Sequence, residues 1–352
     1  FATVPLVGGV ASTAPTTFTV AGSPRTVDAV YVPAVLPAQE FNTSSNSLNQ
    51  VTNQSNVVVV VNPPGAPTVT GEAYTVNVTV GAQAPGGGTP SGGVNVNDGT
   101  GGSCTIAALT GGAGSCVITS TSAGSKTITA DYNGDTEFNP GSGTALHTVN
   151  PASTTTTVTD KQVGGTSQNT TVTGEDYEVL VTVVTQAPGT GEPTGTVAIQ
   201  DDDANQTDSC VATLVPGAPG SNTSTGVCTI LNSRSQNNAT DNIVAGYQGD
   251  GNFAVSTSAL FAHVVNKGGT GLNGGNNIVK SADPTVVGET YTVTVTVNAS
   301  FGEGNPTGTV DVDDGFGGLC TTGPLAPGPG LNQSTASCML TSTTVASNLL
   351  TA

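Results

Sequence analysis

The stretch Val69-Thr-Gly-Glu-Ala-Tyr-Thr-Val-Asn-Val-Thr-Val80 decides the fold, because the chain writes it three times. It returns as Val172-Thr-Gly-Glu-Asp-Tyr-Glu-Val-Leu-Val-Thr-Val183 and as Val286-Val-Gly-Glu-Thr-Tyr-Thr-Val-Thr-Val-Thr-Val297. Pro-Ser-Gly-Gly-Val-Asn-Val (from Pro90), Pro-Thr-Gly-Thr-Val-Ala-Ile (from Pro193) and Pro-Thr-Gly-Thr-Val-Asp-Val (from Pro306) follow at similar offsets. Self-similarity at a period near ~100 residues implies an array of small domains, with function to be read from the array. Two complete units are expected, at 54–150 and 151–266. Residues 1–53 match only the later strands of a unit, and 267–352 match a unit lacking its last strand.

Working outward from Tyr74–Val80, apolar and polar residues alternate with the period of a half-buried strand. Asn56–Asn62 reads as a preceding strand stopped by Pro63-Pro64-Gly65, and Gly93–Asn97 as a following one ending in the turn pair Asp98-Gly99. Further strands are expected around Cys104, around Cys116, over Lys126–Tyr132 and over Thr144–Val149. Seven short strands in under a hundred residues predict an all-β chain of tandem immunoglobulin-like sandwiches. Aromatic residues are only 4% of the chain and Trp is absent, so each core must be thin and built from Val, Ile, Leu and Ala.

Between the last two strands, Ala130-Asp-Tyr-Asn-Gly-Asp-Thr-Glu-Phe138 and Ala245-Gly-Tyr-Gln-Gly-Asp-Gly-Asn-Phe253 share the pattern Ala-x-Tyr-x-Gly-Asp-x-x-Phe. With the upstream Pro-Thr-Gly-Thr-Val segment, this resembles the bacterial Ig-like repeat domains that stand in tandem in large surface and secreted proteins. The resemblance covers nearly the whole chain and implies a domain type more than a function. Tyr132 and Tyr247 are expected to place the ring in the core and the hydroxyl on nearby backbone. Gly134 and Gly249 supply a backbone conformation other residues avoid, beside Asp135 and Asp250. In residues 1–53, Tyr31 and Phe41 persist while the Gly-Asp pair is lost, so that turn should differ in shape.

The six cysteines fall as one pair per unit: Cys104 with Cys116, Cys210 with Cys228, Cys320 with Cys338. Each pair sits on consecutive strands, so a cross-strand disulfide is expected, and with it an oxidising, extracytoplasmic compartment. Zinc fails on partners, since His147 and His263 are the only histidines and no CxxC occurs. Phe1 and Thr13 stand where cysteines would be in the first partial unit, so the fold should form without the bridge.

Six Lys plus Arg, scattered singly, against 24 Asp plus Glu give a net charge of −18. This argues against nucleic acid and anionic membrane, because phosphate binding needs clustered cations. No apolar run is long enough to span a membrane. His147 and His263 share one repeat position, filled by Gln50 in the first partial unit, and are expected to face solvent. Asn97-Asp98, Asp201-Asp202-Asp203 and Asp311-Val-Asp-Asp314 are expected to be solvated turns; calcium is the one cofactor they could serve, though none follows a calcium-loop pattern. Asn-x-Ser/Thr sequons occur at Asn42, Asn53, Asn77, Asn169, Asn205, Asn222, Asn238, Asn298 and Asn332, of which Asn205, Asn222, Asn238 and Asn332 are expected in loops able to carry a glycan. No serine elbow, metal motif or carboxylate pair suggests an active site. The expectation is an extracellular, non-enzymatic structural protein forming a fibre, stalk or cell-surface rod by self-association. The alternative is an adhesin recognising a glycan or protein through its sandwich loops.

Overall fold

A computed structural model describes residues 3–33, 41–162, 170–201, 209–231, 240–272, 277–299, 304–346 and 349–352. Among them there is no helix, so none is long and apolar enough to cross a membrane. The chain divides into two compact units, Phe1–Pro151 and Ala152–Ala352.

The first unit begins with an antiparallel hairpin of β1 (Arg25–Tyr31) and β2 (Ser44–Gln50). Then follow β3 (Val57–Asn62), β4 (Thr68–Val69), β5 (Ala73–Ala82), β6 (Val94–Asn97), β7 (Ser103–Ile106), β8 (Ala113–Thr119), β9 (Gly124–Tyr132) and β10 (Gly141–Asn150). They make two sheets, ordered β3-β5-β8 and β4-β10-β9-β6-β7. Every pairing is antiparallel except the short parallel one of β4 with β10, where Thr68 meets Val149. The first strand of the repeat therefore splits, β3 joining one sheet and β4 the other, which is the immunoglobulin-like arrangement of a two-sheet sandwich.

Alternation explains why these segments are strands. Along β5, Tyr74, Val76, Val78 and Val80 are buried while Ala73, Thr75, Asn77 and Thr79 face out. Packed with them in the core are Val94 and Val96 of β6 and Ile128, Ala130 and Tyr132 of β9 from the facing sheet, and Ile118 of the adjacent strand β8. A slip of one residue would turn this set to water, so the register is strongly specified. Close approach fixes the glycines of β10: a Cβ at Gly143 would lie 2.3 Å from the Val59 carbonyl oxygen.

The second unit repeats this topology with β11 (Thr154–Gln162), β12 (Thr170–Val172), β13 (Tyr177–Thr185), β14 (Thr196–Asp201), β15 (Ser209–Thr213), β16 (Val215–Pro216), β17 (Thr223–Ile230), β18 (Thr240–Tyr247), β19 (Ser256–Thr257) and β20 (Phe261–Asn266). The sheets run β11-β13-β17-β16 and β12-β20-β18-β14-β15, β12 and β20 again being parallel. Next come β21 (Thr270–Gly271), β22 (Ile278–Lys280), β23 (Thr290–Ala299), β24 (Asp311–Asp313), β25 (Leu319–Thr321), β26 (Ala326–Pro327) and β27 (Gln333–Thr341). Here β21 and β22 both pair along one edge of β23, whose other edge pairs with β27 and through it β26, while β24 and β25 form a separate pair. A small core of Tyr291, Val293, Val295, Val297, Val312 and Leu340 lies between them.

Candidate functional site

Three constellations recur from repeat to repeat: a disulfide, a tyrosine turn, and a buried polar chain centred on tyrosine. Cys104 on β7 is bonded to Cys116 on β8, Cys210 on β15 to Cys228 on β17, and Cys320 on β25 to Cys338 on β27. The Cα–Cα separations are 6.0, 5.9 and 5.9 Å. In each case the two strands belong to different sheets, so the expected cross-strand bridge is in fact an inter-sheet staple. Between the two cysteines the chain changes sheet, and in the later two repeats the short strands β16 and β26 intervene, which spacing does not reveal.

The tyrosine turn is organised by its aspartate. Asp135 Oδ1 accepts the N–H groups of Glu137 (2.9 Å) and Phe138 (3.0 Å). Its Oδ2 accepts the Ser91 N–H (2.9 Å), the Ser91 hydroxyl (3.1 Å) and the Tyr132 hydroxyl (2.9 Å). The carboxylate thus ties the turn to the Pro90-Ser-Gly-Gly segment, which is why the two motifs recur together. Burial pushes the Asp135 carboxyl up, but the hydrogen bonds from Ser91, Glu137 and Tyr132 outweigh it and hold the group at about 2. Gly134 adopts φ 80°, and a Cβ at Gly92 would sit 2.2 Å from its carbonyl oxygen.

Asp250 repeats the pattern, accepting from Thr194 N–H (3.0 Å), Asn252 N–H (2.7 Å) and Phe253 N–H (2.8 Å), with Gly249 at φ 74°. It too is held below the usual carboxylate range: burial acts upward, and the Thr194 hydroxyl with the backbone N–H groups acts downward more strongly. Both rings are buried. Tyr247 donates to the Thr194 carbonyl (2.8 Å), the backbone partner expected of it. Tyr132 donates instead to Asp135 and accepts from the Gly92 N–H (3.3 Å). The turn also anchors what precedes it, since Glu137 accepts the N–H groups of Val20 (2.6 Å) and Ala21 (3.3 Å). The altered turn expected between Tyr31 and Phe41 lies outside the described residues.

The buried polar chain overturns two expectations. His147 and His263 do not face solvent; they are 4% and 0% exposed. The His147 ring lies 4.4 Å from that of Tyr74, and His263 stacks on Tyr177 at 4.1 Å with the planes 9° apart. Thr68 Oγ1 is 2.8 Å from His147 Nε2, and Thr171 Oγ1 is 2.9 Å from His263 Nε2. Burial lowers the His147 pKa, opposed by a hydrogen bond to the Pro64 backbone and by the charge of Glu72. The sequence did carry a signal: Ala145, His147 and Val149 share one parity on β10, with Leu146 on the other.

Asp98 likewise is no solvated turn, being 1% exposed on the parity of Val94 and Val96. Its Oδ1 accepts the N–H groups of Thr100 (2.8 Å) and Gly102 (2.9 Å), and its Oδ2 the Ser120 hydroxyl (2.7 Å). Ser120 Oγ is in turn 2.9 Å from the Tyr74 hydroxyl. Burial raises the Asp98 carboxyl, yet these bonds leave it below its ordinary value. Asp201 and Asp314 are buried too, Tyr177 donating to Asp201 (3.3 Å) and Phe316 and Gly318 donating N–H groups to Asp314 (2.9 and 2.8 Å). Asp202 and Asp203 lie outside the described residues, whereas Asp311 and Asp313 are exposed.

Among the described residues no group of three or more His, Cys, Asp or Glu could hold a metal ion. Of the loop sequons, Asn222 and Asn332 do a structural job, at φ 55° and 57° with Oδ1 accepting the N–H of Gly191 (2.9 Å) and Gly304 (3.0 Å). Asn169, Asn205 and Asn238 lie outside the described residues. The recurring side chains are thus spent on holding loops and sheets together.

No protein-family model and no curated protein sequence matches the chain. Among solved structures it is similar to FdeC, an Escherichia coli adhesin, at 14% identity and a TM-score of 0.26 over 83% of this chain and 90% of that one. It is similar to invasin, a bacterial integrin-binding protein, at 15% identity and a TM-score of 0.37 over 82% of this chain and 55% of that one. Domains of titin align at 10% identity and a TM-score of 0.29, covering 82% of this chain and 89% of theirs. The immunoglobulin-like assignment rests on the strand order and the split first strand.

Proposed function

We propose that this chain is a structural repeat protein of the extracellular space, part of a fibre, stalk or cell-surface rod built by joining sandwiches end to end. The repeats are taken as 54–150 and 151–266, with 1–53 and 267–352 as parts of two more. The observation that carries this reading is that chemically expressive side chains recur in the same internal roles from sandwich to sandwich. Tyr132 with Asp135 and Tyr247 with Asp250 hold a turn, and each Cys pair staples two sheets. A repeated catalyst or receptor would instead aim such groups at a cleft. Disulfides in thin-cored domains suit an oxidising exterior.

With a net charge of −18, side-by-side contact between copies is repulsive at low salt, so assembly should strengthen as ionic strength rises. Electron microscopy and small-angle scattering at low and high salt test the reading. Extended, end-joined particles that lengthen or bundle with salt support it. Compact monomers at every ionic strength refute it and favour an adhesin or spacer.

A further inference from the structure

The tyrosine turn of the first sandwich holds a pair of residues that its counterpart lacks. Asn133 precedes Gly134, where the second sandwich has Gln248 before Gly249. In an Asn-Gly pair the backbone nitrogen reaches the side-chain amide with least hindrance, because glycine places no Cβ beside its N–H. The pair also occurs at Asn273-Gly274, which lies outside the described residues.

Three groups meet at Asn133. Its side chain is exposed just past the end of β9, and its own N–H is fixed on the Gly93 carbonyl (2.9 Å). The next N–H, that of Gly134, donates to no group among the described residues, so this nitrogen is available as a nucleophile. Asn133 Oδ1 accepts from Asn95 Nδ2 (3.2 Å), and Asn95 is oriented by the Thr105 hydroxyl, which donates to its Oδ1 (3.3 Å). A donor on Oδ1 polarises the Asn133 carbonyl and stabilises the charge that builds on that oxygen when Cγ is attacked. The second sandwich has neither part. Ala198 stands in the place of Asn95, and Gln248 would have to close a larger ring while its amide donates to the Gly246 carbonyl (2.9 Å).

Aspartates that precede glycine could close the same ring, but here they are shielded. Asp98 and Asp314 are buried, and the glycines after them are held, Gly99 N–H on Asn97 Oδ1 (3.2 Å) and Gly315 N–H on Asp313 Oδ1 (2.6 Å). Asp250 has both oxygens occupied by Thr194, Asn252 and Phe253.

We propose that Asn133 is a self-modifying site of the folded chain, at which the Gly134 nitrogen attacks Asn133 Cγ and closes a succinimide ring. The N–Cγ bond forms and the Cγ–Nδ2 bond breaks. The Gly134 proton passes to a solvent base, and Nδ2 leaves as ammonia with a proton from water. Water then opens the ring, at Cγ to give aspartate or at the backbone carbonyl to give isoaspartate. The isoaspartyl product carries an extra methylene in the main chain at residue 133, between the buried Tyr132 ring and the Asp135 clamp, and so loosens the turn. The first sandwich acquires this weak point with age, and the second, with Gln248 and Ala198, does not.

The test incubates the full chain at mildly alkaline pH, folded or reduced and unfolded in guanidinium chloride. Peptide mass mapping with isoaspartyl methyltransferase labelling follows residue 133. A site that must first open is slowed by its opening equilibrium, so the folded rate is expected within roughly tenfold of the unfolded one. Asn95→Ala, which copies the second sandwich, should slow the folded rate severalfold and leave the unfolded rate unchanged. Asn133→Gln should abolish the modification and keep the fold. As isoaspartate accumulates, hydrogen exchange in the segment holding Glu137 and Phe138 should quicken, and it should stay constant in Asn133→Gln aged alongside. A folded rate more than about tenfold below the unfolded one overturns the proposal. So does an Asn95→Ala change that alters neither state or both equally, or exchange that stays flat while isoaspartate accumulates.

Discussion

Replacing Asp135 by asparagine tests the idea that one carboxylate organises the tyrosine turn. The change is isosteric, but an amide has a single acceptor oxygen. If that oxygen stays on Glu137 and Phe138, the NH2 group faces Ser91 N–H, Ser91 Oγ and the Tyr132 hydroxyl, all of which donate to Asp135. A carboxyl held at about 2 instead of 3.8 is worth ~2 kcal/mol at most, and partial exposure to solvent brings this nearer ~1 kcal/mol. Stranded donors add ~1 kcal/mol more. The expected loss of about 2 kcal/mol corresponds to amide exchange roughly 10- to 30-fold faster in the segment holding Glu137 and Phe138.

Hydrogen–deuterium exchange on the full chain reads this locally, without requiring the repeat to unfold as an isolated domain. The pH dependence gives an independent check. The folded pKa is depressed, so the stabilisation is fully present above the ordinary 3.8 and drains away as pH falls toward 2. The gap between parent and variant should therefore narrow from pH 4 to pH 2. Exchange changed by less than about twofold, or a gap indifferent to pH, would refute the assignment.

Reduction, or paired Cys→Ser changes, should cost each repeat about 3 kcal/mol for closed loops of this length, read as a lower thermal midpoint with the strand signature of circular dichroism intact below it. Tyr132→Phe should cost about 1 kcal/mol, measured by urea unfolding, because it removes the hydroxyl that donates to Asp135 and accepts from Gly92. Gly143→Ala should destabilise the first sandwich by roughly 2 kcal/mol or more, since the new methyl meets the Val59 backbone and not a movable side chain. For His147 the unfolded chain takes up a proton below 6.5 that the folded state resists, so stability should fall as pH drops through 6.5. His147→Gln should flatten that decline in thermal scans between pH 7 and 5; an unchanged slope would place the titrating group elsewhere.

Strands with strict alternation were legible from sequence because one face must be buried, and β5 shows the pattern in full. The cysteine partners were legible because spacing constrains them, but their location on opposite sheets depends on where the chain crosses between sheets. The buried histidines and aspartates are hidden from sequence for a different reason. Whether a polar side chain can be buried depends on partners far away in sequence, as Thr68 is from His147 and Ser120 from Asp98. The parity of Asp98 with Val96, of Lys126 with Ile128 and of His147 with Val149 already placed all three on the core face.

The parallel pairing of β4 with β10 has a mechanical consequence. These strands lie near the two ends of the repeat and run the same way, so pulling those ends apart slides one strand along the other. Thr68 against Val149, Val69 against Asn150, and the Thr70 N–H on the Asn150 carbonyl (2.9 Å) then resist in shear together, not one after another as in an unzipping hairpin. The staple between Cys104 and Cys116 spans 12 residues outside that first resisting pair. It withholds a segment about 40 Å long when extended. In single-molecule stretching, reduction should lengthen the extension released by the first sandwich by about that amount while leaving the force of its first rupture unchanged.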